Sequence, residues 1–193
     1  MSDIGELWLP DVAHEPSPNA DPRPPDCTVD LLVIHNISLP PGEFGGGYIR
    51  DLFLNRLDPA VHPYFREIAH LRVSAHLLVR RDGSATQFVA LDRRAWHAGA
   101  SMFCGRECCN DFSIGIELEG SDATPFSAAQ YARLAVLTAR IQALFPAITE
   151  QRIVGHSDIA PGRKTDPGPH FDWAHYRQQV TVLADAGRRD LDG

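Results

Sequence analysis

The stretch VDLLVIHNIS, residues 29–38, constrains the fold of this chain more than any other. Residues 29–34 form a run of β-branched and aliphatic side chains broken only by Asp30. A strand wet on one face alternates apolar and polar residues, whereas a continuous apolar run suits a central strand covered on both faces. The run ends in the polar His35 and Asn36 and passes into the glycine-rich PPGEFGGG. A helix is expected over about residues 47–57, with Ile49, Leu52, Phe53 and Leu57 at helical spacing.

Further along, VSAHLLVR (73–80), the turn signal RDG (81–83) and ATQFVAL read as a hairpin. FSIGIELEG (112–120) is another strand. The clearest helix runs from Ser127 to Phe145, with Ser127 and Gln130 placed for a capping box and Pro146 at its end. RIVGHS (152–157) is a short strand ending at His156, and a last helix covers 172–184. Strands alternating with helices indicate an α/β layered domain with a mixed sheet.

A chain of 193 residues makes one domain, or a domain with a tail. Eight of the fifteen prolines lie in the first 41 residues, so residues 1–30 read as an extended, proline-rich arm. Leu7, Trp8 and Leu9 suggest that the arm packs on the domain of residues 31–185. A formal charge of −7 speaks against nucleic acid or an anionic membrane as partner. No apolar run approaches the ~20 residues of a bilayer span. The N-terminal residues have neither a basic nor an apolar signal region, and four cysteines suit reduced thiols, so a cytoplasmic protein is expected.

Nine histidines first hint at chemistry. His35 and His156 each end a strand, where α/β folds place their sites. Asp166 follows His156 by ten residues, across a Pro- and Gly-rich bend that can bring it back. Two imidazoles and a carboxylate would make a three-ligand zinc site with its fourth position open; each histidine alone reads as well as an ordinary polar residue. Glu117, between Ile116 and Leu118, is either a general base with a raised pKa or a solvated carboxylate on a half-exposed strand. Lys164 is either a cation for a developing oxyanion or a surface lysine. Trp96 and His97 could form a stacking face, and His76 reads as a satisfied wall residue. Cys104, Cys108 and Cys109 have poor spacing for structural zinc, and Cys109 reads as a small buried packing residue.

Taken together, VIHNISLPPGEFGG, HLRVSAHLLVRRDG, RAWHAG, CNDFSIGIELEG and GHSDIAPGRKTDPGP resemble the zinc-dependent N-acetylmuramoyl-L-alanine amidases of type 2. Within that family they resemble the cytoplasmic AmpD-type enzymes that act on 1,6-anhydro-muropeptides. The resemblance spans about residues 5–180. It implies a central mixed sheet flanked by helices, as in the peptidoglycan-recognition proteins. It implies one zinc ion held by His35, His156 and Asp166, with Glu117 as proton acceptor and Lys164 as transition-state stabiliser. Asn36, Arg72, Trp96 and His97 are the expected substrate contacts. The implied reaction cleaves the amide between the lactyl group of the anhydro-sugar and L-alanine during cell-wall recycling. It would thereby limit β-lactamase induction, and a monomer is expected.

Many relatives in the wider group carry tyrosine where this chain has Ala75 and lack the acid at Glu117, so the chain falls in the glutamate-using branch. One departure is Cys108, where the AmpD pattern GREx-CNDF usually has an arginine thought to meet the stem-peptide carboxylate. Arg72 and Arg106 are possible substitutes. An anionic substrate on a negative chain would need a locally positive pocket, built from Arg72, Arg80, Arg163 and Lys164. Three rivals stand beside this reading: a muropeptide sensor, which should have lost a zinc ligand; an exported amidase, which should carry a signal peptide; and an unrelated zinc peptidase, against which the absence of HExxH counts.

Overall fold

A computed structural model describes residues 6–189, with side chains to residue 183; the first five residues of the arm lie outside the described residues. The strands are β1 (Ala13–His14), β2 (Ala20–Asp21), β3 (Leu31–Ile37), β4 (Leu77–Val79), β5 (Ala85–Gln87), β6 (Arg94–Ala95), β7 (Met102–Phe103), β8 (Arg106–Glu107), β9 (Ser113–Glu119) and β10 (Ile153–Gly155). The helices are α1 (Tyr48–Phe53), α2 (Pro63–Ile68), α3 (Ala128–Leu144), α4 (His156–Ile159) and α5 (Trp173–Arg189).

Six strands form one mixed sheet in the order β1-β5-β4-β9-β3-β10. β4, β9, β3 and β10 run parallel, and β5 pairs antiparallel with β4 as the expected hairpin. β3 lies inside the sheet, between β9 and the edge strand β10 and not at its centre, and Leu31, Leu32, Val33 and Ile34 are all fully buried, as a strand covered on both faces requires. On one face Leu32, Ile34, Ile114, Ile116 and Leu118 pack against Leu134, Leu137 and Ile141 of α3 and Tyr176 and Val180 of α5. On the other face α1 and α2 cover Leu78 and Phe88 with Leu52, Phe53 and Phe65. The mixed sheet flanked by helices matches the expected architecture.

α3 begins where its sequence says it should. Ser127 Oγ accepts from the Gln130 amide at 3.1 Å, and the Gln130 side chain accepts from the Ser127 amide at 3.1 Å, closing the capping box. Other boundaries differ from expectation. α1 stops at Phe53, because Leu54 leaves the helix and Asn55 takes a left-handed φ of 58° that asparagine tolerates. β10 ends at Gly155, and His156 opens the one-turn helix α4 instead of finishing the strand. α2 has no counterpart in the sequence reading. His62 caps it by accepting from the Tyr64 amide at 3.1 Å, and Pro63 takes the first turn, where its missing N–H costs nothing.

Residues 6–30 run across the domain. β1 adds to the sheet edge beside β5, and β2 pairs with β6. Leu9 is buried in the main core, and its amide donates to Gln87 Oε1 at 2.8 Å. Arg23 donates to the carbonyls of Leu91, Asn110, Asp111 and Ser113 at 2.8–3.2 Å. Its burial among them lowers its pKa to about 10. No helix among the described residues is long and apolar enough to cross a membrane.

Candidate active site

The parallel register places the site. His35 on β3 lies opposite Glu117 on β9, and paired residues in a parallel ladder point to the same face. On the other side of β3, Gly155 of β10 pairs with Ile34, so the next residue, His156, lies beside His35. The loop after α4 then turns back, tied by the Ser157 amide to the Asp166 carbonyl at 3.0 Å. Three side chains from three segments thus meet at the carboxyl end of the sheet.

Their donor atoms form a triangle. His35 Nδ1, His156 Nδ1 and Asp166 Oδ2 are each 3.0 Å from the other two. They are the only grouping of His, Cys, Asp or Glu suited to a metal ion among the described residues. Donors bound at about 2.0–2.1 Å to one tetrahedral ion lie about 3.3 Å apart, so this triangle closes on zinc with a few tenths of an ångström of adjustment. His156 Nε2 is 3.1 Å from the carbonyl oxygen of Ala98, which can only accept, and 3.4 Å from Arg163 Nη2, which can only donate; the closer contact favours the proton on Nε2 and the lone pair on Nδ1. Both histidines are almost fully buried. Burial lowers the pKa of His35 to about 4, against the pull of Asp166, and so favours the neutral imidazole a metal needs. For Asp166, burial opposes ionisation, but its contacts with His156 and His35 outweigh it and hold the carboxyl below its ordinary value.

Two members of the triangle, His156 and Asp166, line a cleft of about 360 Å³, with His35 buried behind them. Glu117, Lys164, Asn36, Trp96 and His97 also line it, and Leu52, Phe53, Tyr64 and Ile68 supply an apolar side. Glu117 Oε2 is buried and has no hydrogen-bond partner. Burial, then the charge of Asp166, pushes its pKa well above the ordinary carboxylate value, with Lys164 pulling the other way. Glu117 and Asp166 are the only acids in the lining among the described residues. A carboxyl kept from water near a triad that could hold a metal ion is suited to moving a proton.

The remaining sequence candidates fall in distinct places. The Asn36 side chain donates to Asp122 Oδ1 at 2.7 Å and to the Pro167 carbonyl at 3.0 Å, so it braces the loop that carries Asp166. Trp96 Nε1 is buried without a partner at the cleft. Arg72 is exposed, bonds the carbonyls of His70 and Leu71, and is not in the lining, although Leu71 and Val73 are. The positive pocket expected of four cations is smaller in the structure. Arg80 is 3.3 Å from the buried Glu119 and donates to the Gly46 carbonyl. Arg163 donates to the carbonyls of Ala98 and Ala100. Lys164 alone of the four lines the cleft. His76 is a satisfied wall residue, between the Gly115 amide and the Arg93 carbonyl at 3.0 Å each. Cys109 is buried in a packing cluster, and Cys104 and Cys108 are exposed.

Three residues that shape the site escaped the sequence reading. Asn110 Oδ1 accepts from the amides of His97 and Ala98 and so fixes the segment beside His156. Ser113 and Gly115 share the face of Glu117 on β9 and lie under His97. Their signal was the alternation of β9: Ile114, Ile116 and Leu118 face α3, while Ser113, Gly115, Glu117 and Glu119 share the opposite face, on which Glu117 meets the cleft.

The sequence pattern of the N-acetylmuramoyl-L-alanine amidase family matches residues 25–169. The chain belongs to this family of amidases. Within it, the chain is similar to the 1,6-anhydro-N-acetylmuramyl-L-alanine amidase AmpD of Enterobacter cloacae, 58% identical over 178 residues, or 92% of this chain and 95% of the relative. A crystal structure of a selenomethionine AmpD derivative superposes with a TM-score of 0.89 at 57% identity, covering 91% of this chain and 98% of that one. The amidase AmiD of E. coli, solved with anhydro-N-acetylmuramic acid-L-Ala-D-γ-Glu-L-Lys, superposes at 0.60 with 29% identity, over 81% of this chain and 60% of that one.

Proposed function

We propose that this chain hydrolyses the amide between the lactyl group of 1,6-anhydro-N-acetylmuramic acid and L-alanine, in a zinc-dependent reaction on cytoplasmic muropeptides. The observation that carries the reading is Glu117: a buried carboxyl with an unpartnered oxygen, in a cleft that His156 and Asp166 of the His35–His156–Asp166 triangle also line. The similarity to AmpD enzymes supports the substrate, and the neutral-imidazole and carboxylate donor set supports zinc. A zinc ion bound there would supply Lewis acidity to the scissile carbonyl and acidity to the attacking water.

The chain's own residues do the rest. Glu117 takes the proton of the attacking water, which its raised pKa favours. Lys164, at the cleft, places a fixed cation where negative charge develops on the carbonyl oxygen. Glu117 then returns its proton to the departing alanine amine, and the site is restored. Trp96 Nε1 and the apolar side of the cleft bind the substrate, and Arg72 stands outside the lining, where it meets a stem peptide that extends beyond the cleft. In a host that recycles its wall, such a monomeric amidase removes anhydro-muropeptides and so keeps β-lactamase induction low.

The test is a timed reaction of the zinc-loaded protein with 1,6-anhydro-N-acetylmuramyl tripeptide, followed by mass spectrometry, with a chelated control. Release of tripeptide and anhydro-sugar, abolished by chelator and restored by zinc, is expected. Intact substrate in the presence of bound zinc would sink the reading in favour of a sensor.

A further inference from the structure

His97 was expected to contact substrate, but its ring is engaged at both nitrogens. Nδ1 lies 2.9 Å from His35 Nε2, and Nε2 lies 3.1 Å from Ser113 Oγ. Ser113 Oγ in turn lies 2.5 Å from the Cys109 carbonyl oxygen. We infer that His97 and Ser113 are positioning residues that set the tautomer of His35 and thereby tune the affinity of the metal site; this rests on the zinc reading above.

The argument is a count of protons. A carbonyl oxygen only accepts, so at 2.5 Å the hydrogen between Ser113 and Cys109 belongs to the serine hydroxyl. That leaves Ser113 Oγ a lone pair toward His97, so His97 Nε2 donates. A neutral imidazole carries one N–H, so His97 Nδ1 is bare and accepts from His35 Nε2–H. His35 then has its lone pair on Nδ1, the atom that points into the triangle with His156 and Asp166. One backbone carbonyl thus dictates, through two side chains, which nitrogen of His35 is free to bind. His156 reaches the same state in one step through Ala98. Outer partners of metal-bound histidines orient the ring and raise its basicity in this way.

The relay is built into the strand. His97 can lie over β9 only because residue 115 is glycine: a Cβ there would meet His97 Cγ and Nδ1 at 2.5 Å. The amides of His97 and Ala98 are held by Asn110, which fixes the backbone that carries the ring. Both bonds of the ring and the closed packing beneath it make His97 a support of the metal ligand.

The experiment measures zinc affinity by competition with a chromophoric chelator, on the full chain and on three variants, with the melting temperature of each metal-free protein as the folding control. His97→Leu fills similar volume and offers no acceptor; it should weaken zinc binding roughly 10–100-fold. His97→Asn places an amide oxygen near the position of Nδ1 and should restore most of that affinity. Ser113→Ala removes only the hydroxyl that fixes the His97 tautomer, and should weaken zinc about tenfold, at the low end of outer-partner effects. Equal zinc affinity in His97→Leu and the parent would overturn the relay. If His97→Leu does not fold, Ser113→Ala decides, and parental affinity there overturns it as well. A parent chain that takes up no zinc would instead defeat the metal reading on which the relay rests.

Discussion

Replacing Glu117 with glutamine isolates the proton-transfer step. The side chain keeps its shape but can no longer accept a proton. A positioned acid–base group contributes about 10²–10⁴ in rate, or about 2.7–5.4 kcal/mol at 1.36 kcal/mol per decade. The structure places the expected loss in the upper half of that range. Among the described residues Asp166 is the only other acid in the cleft, and it is committed to the triangle with His35 and His156, so it is not free to take over. We expect kcat/KM of Glu117→Gln to fall about 10³-fold or more, with one zinc still bound per chain. The assay is timed release of tripeptide from 1,6-anhydro-N-acetylmuramyl tripeptide. Stability supplies the control. Burial raises the folded-state pKa of Glu117 above its ordinary 4.5, so the folded protein holds this proton more tightly than the unfolded chain does. In the metal-free protein that difference lowers stability as pH climbs from 4.5 toward the folded value, and the penalty persists above it. Glutamine removes it, so the metal-free variant should match or exceed the parent's stability at pH 7–8 and converge with it below about pH 4. A variant that is folded, zinc-loaded and still has more than a tenth of parental kcat/KM would refute the assignment.

Lys164→Met should lower kcat about 10²-fold with zinc stoichiometry unchanged, as removal of one oxyanion-stabilising group does; an unchanged kcat would leave the lysine a surface residue. Arg23→Met leaves the carbonyls of Leu91, Asn110, Asp111 and Ser113 without their donor and should destabilise the protein by about 3 kcal/mol or more in urea unfolding. A loss under about 1 kcal/mol would mean that water replaces the guanidinium and that the arm contributes little to the domain. Leu134→Ala opens a void between α3 and the sheet at a fully buried position, for about 2–5 kcal/mol, with zinc affinity of the folded protein retained.

What the sequence disclosed and what it withheld divide along one physical line. β3 was legible because burial on both faces forces an uninterrupted apolar run, and no other element mimics that signal over 31–34. α3 was legible because its capping box and apolar stripe lie within a single segment. The pairing of His35 with Glu117 depends instead on the β3–β9 register, a relation between residues 82 positions apart that no local pattern encodes. The return of Asp166 to His156 was within reach, since ten residues of Pro- and Gly-rich loop span it. α2 and the one-turn α4 were missed because neither is long enough to show a helical period, and each is fixed by its ends: α2 by the His62 cap, α4 by the Gly155 amide on Asp158. His97 is the instructive case. Its residue type suggested contact with a ligand, but a histidine's role is set by what each nitrogen faces, and here those partners are Ser113 and His35, 16 and 62 positions away. β9 held the missing clue in Ser113 and Gly115: two small residues on the face that carries Glu117 leave room that only a side chain from another segment can fill.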